Sequence, residues 1–264
     1  MKLFNSSNPT LSEKALEKKL DHTYTGEIMT VRGSVEKFGV LMMLVVAGAY
    51  FSWSYDPGLS GQTMMYLMFG GLIVGFVLSL IMIFKPTLAK PLSPIYALAE
   101  GVFLGALSKI VSTMVTASAV AKGAEASLFD NIIFQAVGLT FGVALAMFLL
   151  YYFRIIKVTR KLYSVIIGAT MGVLIFYVIT LVVRLFGVEL PFMYDASPLG
   201  IGISLVVIAI AALNLLLDFD RIEHFAKAGA AKYMEWYCAF GLLVTIVWLY
   251  IEILRLLMRF TSRD

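Results

Sequence analysis

The sequence predicts an all-α, polytopic membrane protein, a bundle of seven transmembrane helices behind a polar tail. Three observations carry that prediction. The 264-residue chain is 60% hydrophobic and only 14% charged, whereas soluble domains run at roughly 45–50% apolar and about 25% charged. Seven stretches are close to the ~20 mainly apolar residues that a helix needs to cross the hydrocarbon core. The remaining Lys and Arg collect in alternate connections between those stretches. The runs are too long, and too little alternating, for the strands of a membrane β-barrel.

In chain order, a polar tail over residues 1–36 precedes a transmembrane domain over residues 37–260. Glu13, Lys14, Glu17, Lys18 and Lys19 sit at helical spacing in the tail and read as a short solvated helix. The tail is not a signal peptide, whose apolar region would lie near the tenth residue. The spans are expected at Phe38–Tyr55, Met64–Phe84, Leu92–Val120, Asn131–Phe153, Leu162–Val183, Pro198–Leu217 and Glu235–Leu257. Fifteen Lys and Arg fall in the tail and the second, fourth and sixth connections, against Lys122 and Arg184 in the others. The N-terminus is therefore expected in the cytoplasm. Seven spans then place Arg255, Arg259 and Arg263 outside, against the rule, unless the earlier spans set the topology or the last segment is re-entrant.

Small residues four apart occur in four spans, at Gly71 and Gly75, Gly101 and Gly105, Gly138 and Gly142, and Gly168 and Gly172. Such spacing allows close helix packing in lipid, and four occurrences predict a tight bundle. One cysteine, Cys238, excludes an internal disulfide and a cysteine zinc site. Two histidines, His22 and His224, leave little room for histidine metal chemistry. No Lys/Arg run is dense enough for a nucleic-acid surface. Neither Gly-x-Ser-x-Gly nor His-Glu-x-x-His is present, so an enzyme is not expected.

Ionisable residues inside spans are costly and mark function by default. Glu100 lies a third of the way along the third span. Lys109, nine residues on, falls about 180° round the helix and cannot pair with it; snorkelling is the expected use of Lys109. The sixth span closes on Asn214-Leu215-Leu216-Leu217-Asp218-Phe219-Asp220-Arg221-Ile222-Glu223-His224. Asp218 and Arg221, three apart, can pair on one face. Asp220, Glu223 and His224 read as a solvated cap without the spacing of a calcium loop. The seventh span offers Glu235 and Glu252. A turn at Ala228-Gly229-Ala230 sets the residue facing Asp218 near position 240. Glu235 then misses by about 8 Å and Glu252 by about 18 Å at 1.5 Å per residue. Glu252 can instead pair with Arg255 at i,i+3.

At these residues the chain resembles the Bax inhibitor (transmembrane Bax inhibitor motif) family, in a bacterial branch with a longer tail. Tyr96-Ala97-Leu98-Ala99-Glu100-Gly101-Val102-Phe103-Leu104-Gly105 is similar to the family's aromatic-acidic-Gly-x-x-Leu-Gly pattern. Leu217-Asp218-Phe219-Asp220-Arg221-Ile222 is similar to its sixth-span ending. Tyr233-Met234-Glu235-Trp236 and Tyr250-Ile251-Glu252-Ile253 each fit its seventh-span motif, with Glu in place of Asp. The resemblance implies one helix wrapped by the other six, an inner bacterial membrane, and a pH-sensitive calcium leak. Its proton sensor would be a carboxylate pair, Asp218 with Glu235 or Glu252. Glu235 is favoured by register and Glu252 by letters. Glu100 and Arg221 would be the polar intramembrane residues of the pathway. Two carboxylates sharing a partly desolvated site retain a proton. That proton would close the inner end, and its loss would open the end and expose acidic oxygens of Asp218 and Glu235 to Ca²⁺. The rival expectation is a membrane partner that modulates a quality-control protease or a death pathway, docking through the tail. Proton-coupled secondary transport would also use intramembrane acids.

Overall fold

The computed structural model describes residues 27–54, 61–121, 132–188 and 197–261. The expected tail helix and Lys122 and Arg263 lie outside them. Among the described residues seven helices are long and apolar enough to cross a membrane. They are α1 (Val31–Ser54), α2 (Gly61–Phe84), α3 (Ala89–Ala121), α4 (Ile132–Tyr152), α5 (Arg160–Leu185), α6 (Pro198–Lys227) and α7 (Met234–Thr261), with a 3-10 turn at Pro86–Leu88 before α3.

Helix ends follow local chemistry. Thr30 Oγ1 accepts the Gly33 N–H at 2.9 Å, a capping bond for the first free amides of a helix. Helix α1 therefore begins at Val31 rather than near Phe38, and Arg32 and Glu36, expected in the tail, form its polar first turns with Lys37. Thr159 caps α5 by accepting from Leu162 N. Ser197 caps α6 by accepting from Gly200 N, with Pro198 in the first turn, where a missing N–H costs nothing. Gly229, at φ +67°, takes the left-handed position just past α6.

Helix α7 is the centre of the bundle. In its most apolar stretch 61% of residues are buried, against 6% in α5. It packs against α6, α1, α4 and α3, while α2 packs on α3 and α5 on α6. The outward faces are apolar, as with Phe69, Ile73, Phe76 and Ile83 of α2, which suits a hydrocarbon solvent. Side chains of α1 to α3 interlock through glycine. A Cβ at Gly101 would meet the Val45 carbonyl oxygen at 2.3 Å, and one at Gly71 would meet that of Ala99 at 2.7 Å. The other two glycine pairs do not do this. Gly138, Gly142, Gly168 and Gly172 have nothing within 4 Å of an added Cβ; all four are exposed, and Gly172 borders a gap between α5 and α6.

Candidate functional site

Asp218 lies well inside α6, because the helix runs unbroken for nine further residues to Lys227. That is about 14 Å from the helix end at 1.5 Å per residue. The residue is buried. Thr245 Oγ1 of α7 donates to its Oδ2 at 2.6 Å, and Arg221 Nη1 stands 3.5 Å from its Oδ1. The pair borders a cavity of about 290 Å³ between α2, α6 and α7, whose polar lining includes Ser79, Asn214, Asp218, Arg221, Cys238 and Thr245. The Arg221 side chain is 40% exposed, so the cavity is closed at one edge by a cation that reaches solvent. The Asp218 carboxylate accepts from Thr245 and balances the charge of Arg221. Thr245 has a second acceptor in its own helix, the Gly241 carbonyl oxygen at 3.3 Å.

The expected carboxylate partner is not there. Thr245, not residue 240, faces Asp218, so Glu235 is ten residues too early and Glu252 seven too late, roughly 15 Å and 10 Å along the helix. The reason is the turn. Residues 228–233 separate the helices, and the segment before α1 holds them open. Met29 N donates to Ala230 O at 2.8 Å and Lys232 N to Glu27 O at 3.0 Å, closing an antiparallel bridge between Ile28 and Ala231. Glu235 belongs to this strap. Its Oε1 accepts from Thr30 N at 2.9 Å and Thr30 Oγ1 at 3.1 Å. Lys232 and Lys37 stand 3.3 and 3.5 Å from its two oxygens. Gly33 makes the room, since a Cβ there would lie 2.0 Å from Glu235 Oε1. A metal site shared by Asp218 and Glu235 is therefore not formed, and the described residues hold no group of three or more His, Cys, Asp or Glu that would bind a metal.

A family model described as Bax inhibitor 1 like matches residues 8–262. The chain belongs to the Bax inhibitor 1-like family. No curated protein matches it. In this member of the Bax inhibitor 1-like family, both candidate seventh-span motifs flank Thr245 instead of containing the partner of Asp218. Glu252 is buried in a network of its own. Tyr177 of α5 donates to its Oε1 at 2.7 Å, and Arg255 reaches both its carboxylate, at 3.2 Å, and the Tyr177 oxygen, at 2.8 Å. The expected i,i+3 pair is thus present with α5 added to it. Glu100 is buried against α2, where a Cβ at Gly75 would sit 2.8 Å from its Oε2. The Tyr96 hydroxyl interacts with the same carboxylate. Glu100 does not line the Asp218 cavity. Tyr96 packs edge-on to Phe240 at 4.9 Å, and Phe240 is part of the cavity wall, so an aromatic layer stands between. Lys109 donates to Trp53 O at 2.9 Å, a snorkelling contact at the end of α1.

Of the cap residues His224 is exposed as expected, whereas Asp220 and Glu223 are half-buried. Glu223 ties α6 to α4, accepting from Tyr151 and from Arg154 at 2.8 Å, with Lys227 beside it. Sequence reasoning missed Thr245, Thr30 and Tyr177. Thr245 had a signal, being the lone hydroxyl in the apolar run Phe240–Leu249. Thr30 and Tyr177 had none, because each acts on a residue far away in the chain.

Proposed function

We propose that this Bax inhibitor 1-like membrane protein is a pH-sensitive leak pathway for calcium, with Asp218 as its proton-responsive residue and Arg221 and Thr245 as its partners. The supporting observation is a buried carboxylate at a cavity between helices, accepting from Thr245 and paired with Arg221. The sign of the response follows. Protonation removes the counter-charge of Arg221 and the charge assistance of the Thr245 bond, whose hydroxyl has the Gly241 carbonyl oxygen as a second acceptor. The tie between α6 and α7 loosens and Arg221 is free to leave the cavity edge. Acid therefore opens the pathway, the reverse of what a proton-sharing carboxylate pair would do. Calcium is the cargo, suited to carboxylate and hydroxyl oxygens.

The test is Ca²⁺ flux into proteoliposomes from pH 8 to pH 6. Wild type gains flux on acidification. Asp218→Asn, neutral at every pH, leaks at pH 8 and loses the pH response, whereas Glu235→Gln and Glu252→Gln keep it. An Asp218→Asn protein with the wild-type profile overturns the assignment. The strap supports a second reading, in which the protein modulates a membrane protease or stress pathway by contact. Residues 1–26 lead directly into the strap at the turn joining α6 and α7, which would give a partner on the tail a hold on those helices. Deleting residues 1–26 would abolish capture of such a partner and leave flux intact.

A further inference from the structure

Helix α4 packs on α6 and α7 and has little contact with α3. A lateral groove of about 480 Å³ is left between α1 and α3 on one side and α4 on the other, with Leu243, Ile246, Val247 and Tyr250 of the central helix as its floor. Its walls are almost wholly apolar, and the hydroxyls of Ser108 in the wall and Tyr250 in the floor hydrogen-bond to one another at 2.7 Å. The length of the groove limits what can occupy it. On α1 it runs from Met42 to Trp53, about 16 Å at 1.5 Å per residue. That is close to half of the ~30 Å hydrocarbon core. The groove is therefore long enough for part of an acyl chain and too short for a membrane-spanning helix. A transmembrane helix of a partner or of a second copy would need the full thickness.

A cation stands beside one end of the groove. Lys109 follows Ser108 of the groove wall, and its ammonium donates to Trp53 O at 2.9 Å. An ammonium has three donors, and among the described residues Trp53 O is the acceptor found for it. Tyr50 and Trp53, which also line the groove, are exposed. Aromatic residues of this kind sit at headgroup level. We propose that the groove binds a single anionic glycerophospholipid of the leaflet in which α1 ends, with one acyl chain along α7 and its phosphate on Lys109. The lipid completes the wall around the central helix that α4 leaves open.

The test uses the full-length protein, delipidated in detergent, titrated with phosphatidylglycerol or phosphatidylcholine and read by native mass spectrometry. Wild type binds one phosphatidylglycerol saturably and prefers it to phosphatidylcholine. Val46→Trp combined with Val137→Trp fills the groove and removes that bound lipid, while Ile179→Trp, on the lipid face of α5, leaves it. Lys109→Gln removes the cation and lowers the phosphatidylglycerol preference about fivefold, the effect of one basic residue at an anionic surface. Equal lipid counts in the filled variant and wild type overturn the site. So does an unchanged headgroup preference in Lys109→Gln, which does not depend on the filled variant folding. A wild-type dimer that the filled variant loses would make the groove a seat for a second copy and overturn the lipid reading.

Discussion

Replacing Glu235 by Ala tests whether this acid is a structural anchor or part of a gate. The side chain is fully buried at 0% exposure. The substitution deletes the acceptor of two hydrogen bonds from Thr30 and the counter-charge of two lysines. Hydrogen bonds to charged groups contribute about 1.5–3 kcal/mol each. The total is reduced because Thr30 is exposed and water can replace part of the loss. The lysine side chains are 25% and 42% exposed, so their share is that of surface pairs, under ~1 kcal/mol each. The expected loss is about 2–3 kcal/mol. At roughly 2–4 °C per kcal/mol for a chain of this size, the melting temperature in detergent falls by about 5–10 °C. Glu235→Gln retains an acceptor for Thr30 and falls by about half as much. Scanning fluorimetry of the three proteins, read beside their Ca²⁺ flux profiles, gives the answer. A Glu235→Ala protein that melts within ~2 °C of wild type refutes the anchor, since two charge-assisted bonds cannot be lost at so little cost.

Thr245→Val keeps the shape but removes the donor to Asp218, so its Ca²⁺ flux at pH 8 rises toward the level of Asp218→Asn; a wild-type value there would separate Thr245 from the gate. Tyr177→Phe and Glu252→Gln are coupled by about 0.5–3 kcal/mol in a thermal double-mutant cycle, and additive effects would mean that the α5–α7 contact is not formed. Gly101→Ala drives a Cβ into the Val45 backbone and lowers the yield of folded protein by size-exclusion chromatography, whereas Gly138→Ala and Gly168→Ala, with open space around them, are tolerated. Gly75→Val displaces the Glu100 carboxylate and lowers the melting temperature, and Glu100→Gln in the Gly75→Val background recovers part of the loss.

The class of protein and its spans are local properties, and so the sequence by itself determined them. Whether a stretch of about 20 residues can sit in hydrocarbon depends on its own side chains and on backbone bonds made within the helix. The composition of each span answers that without knowledge of its neighbours. The acids at Glu100, Asp218, Glu235 and Glu252 were legible for the same reason, since charge stands out against an apolar run. Their partners were not. Which side chain meets Asp218 depends on how far α7 slides along α6, and that offset is set by a turn pinned to the segment before α1. Its key contact, Thr30 to Glu235, joins residues 205 apart in the chain. The glycine pairs teach the same lesson, since identical spacing makes contacts in α2 and α3 and none in α4 and α5. Spacing creates the possibility of close approach, and only the rotation of each helix in the bundle decides whether a neighbour occupies it.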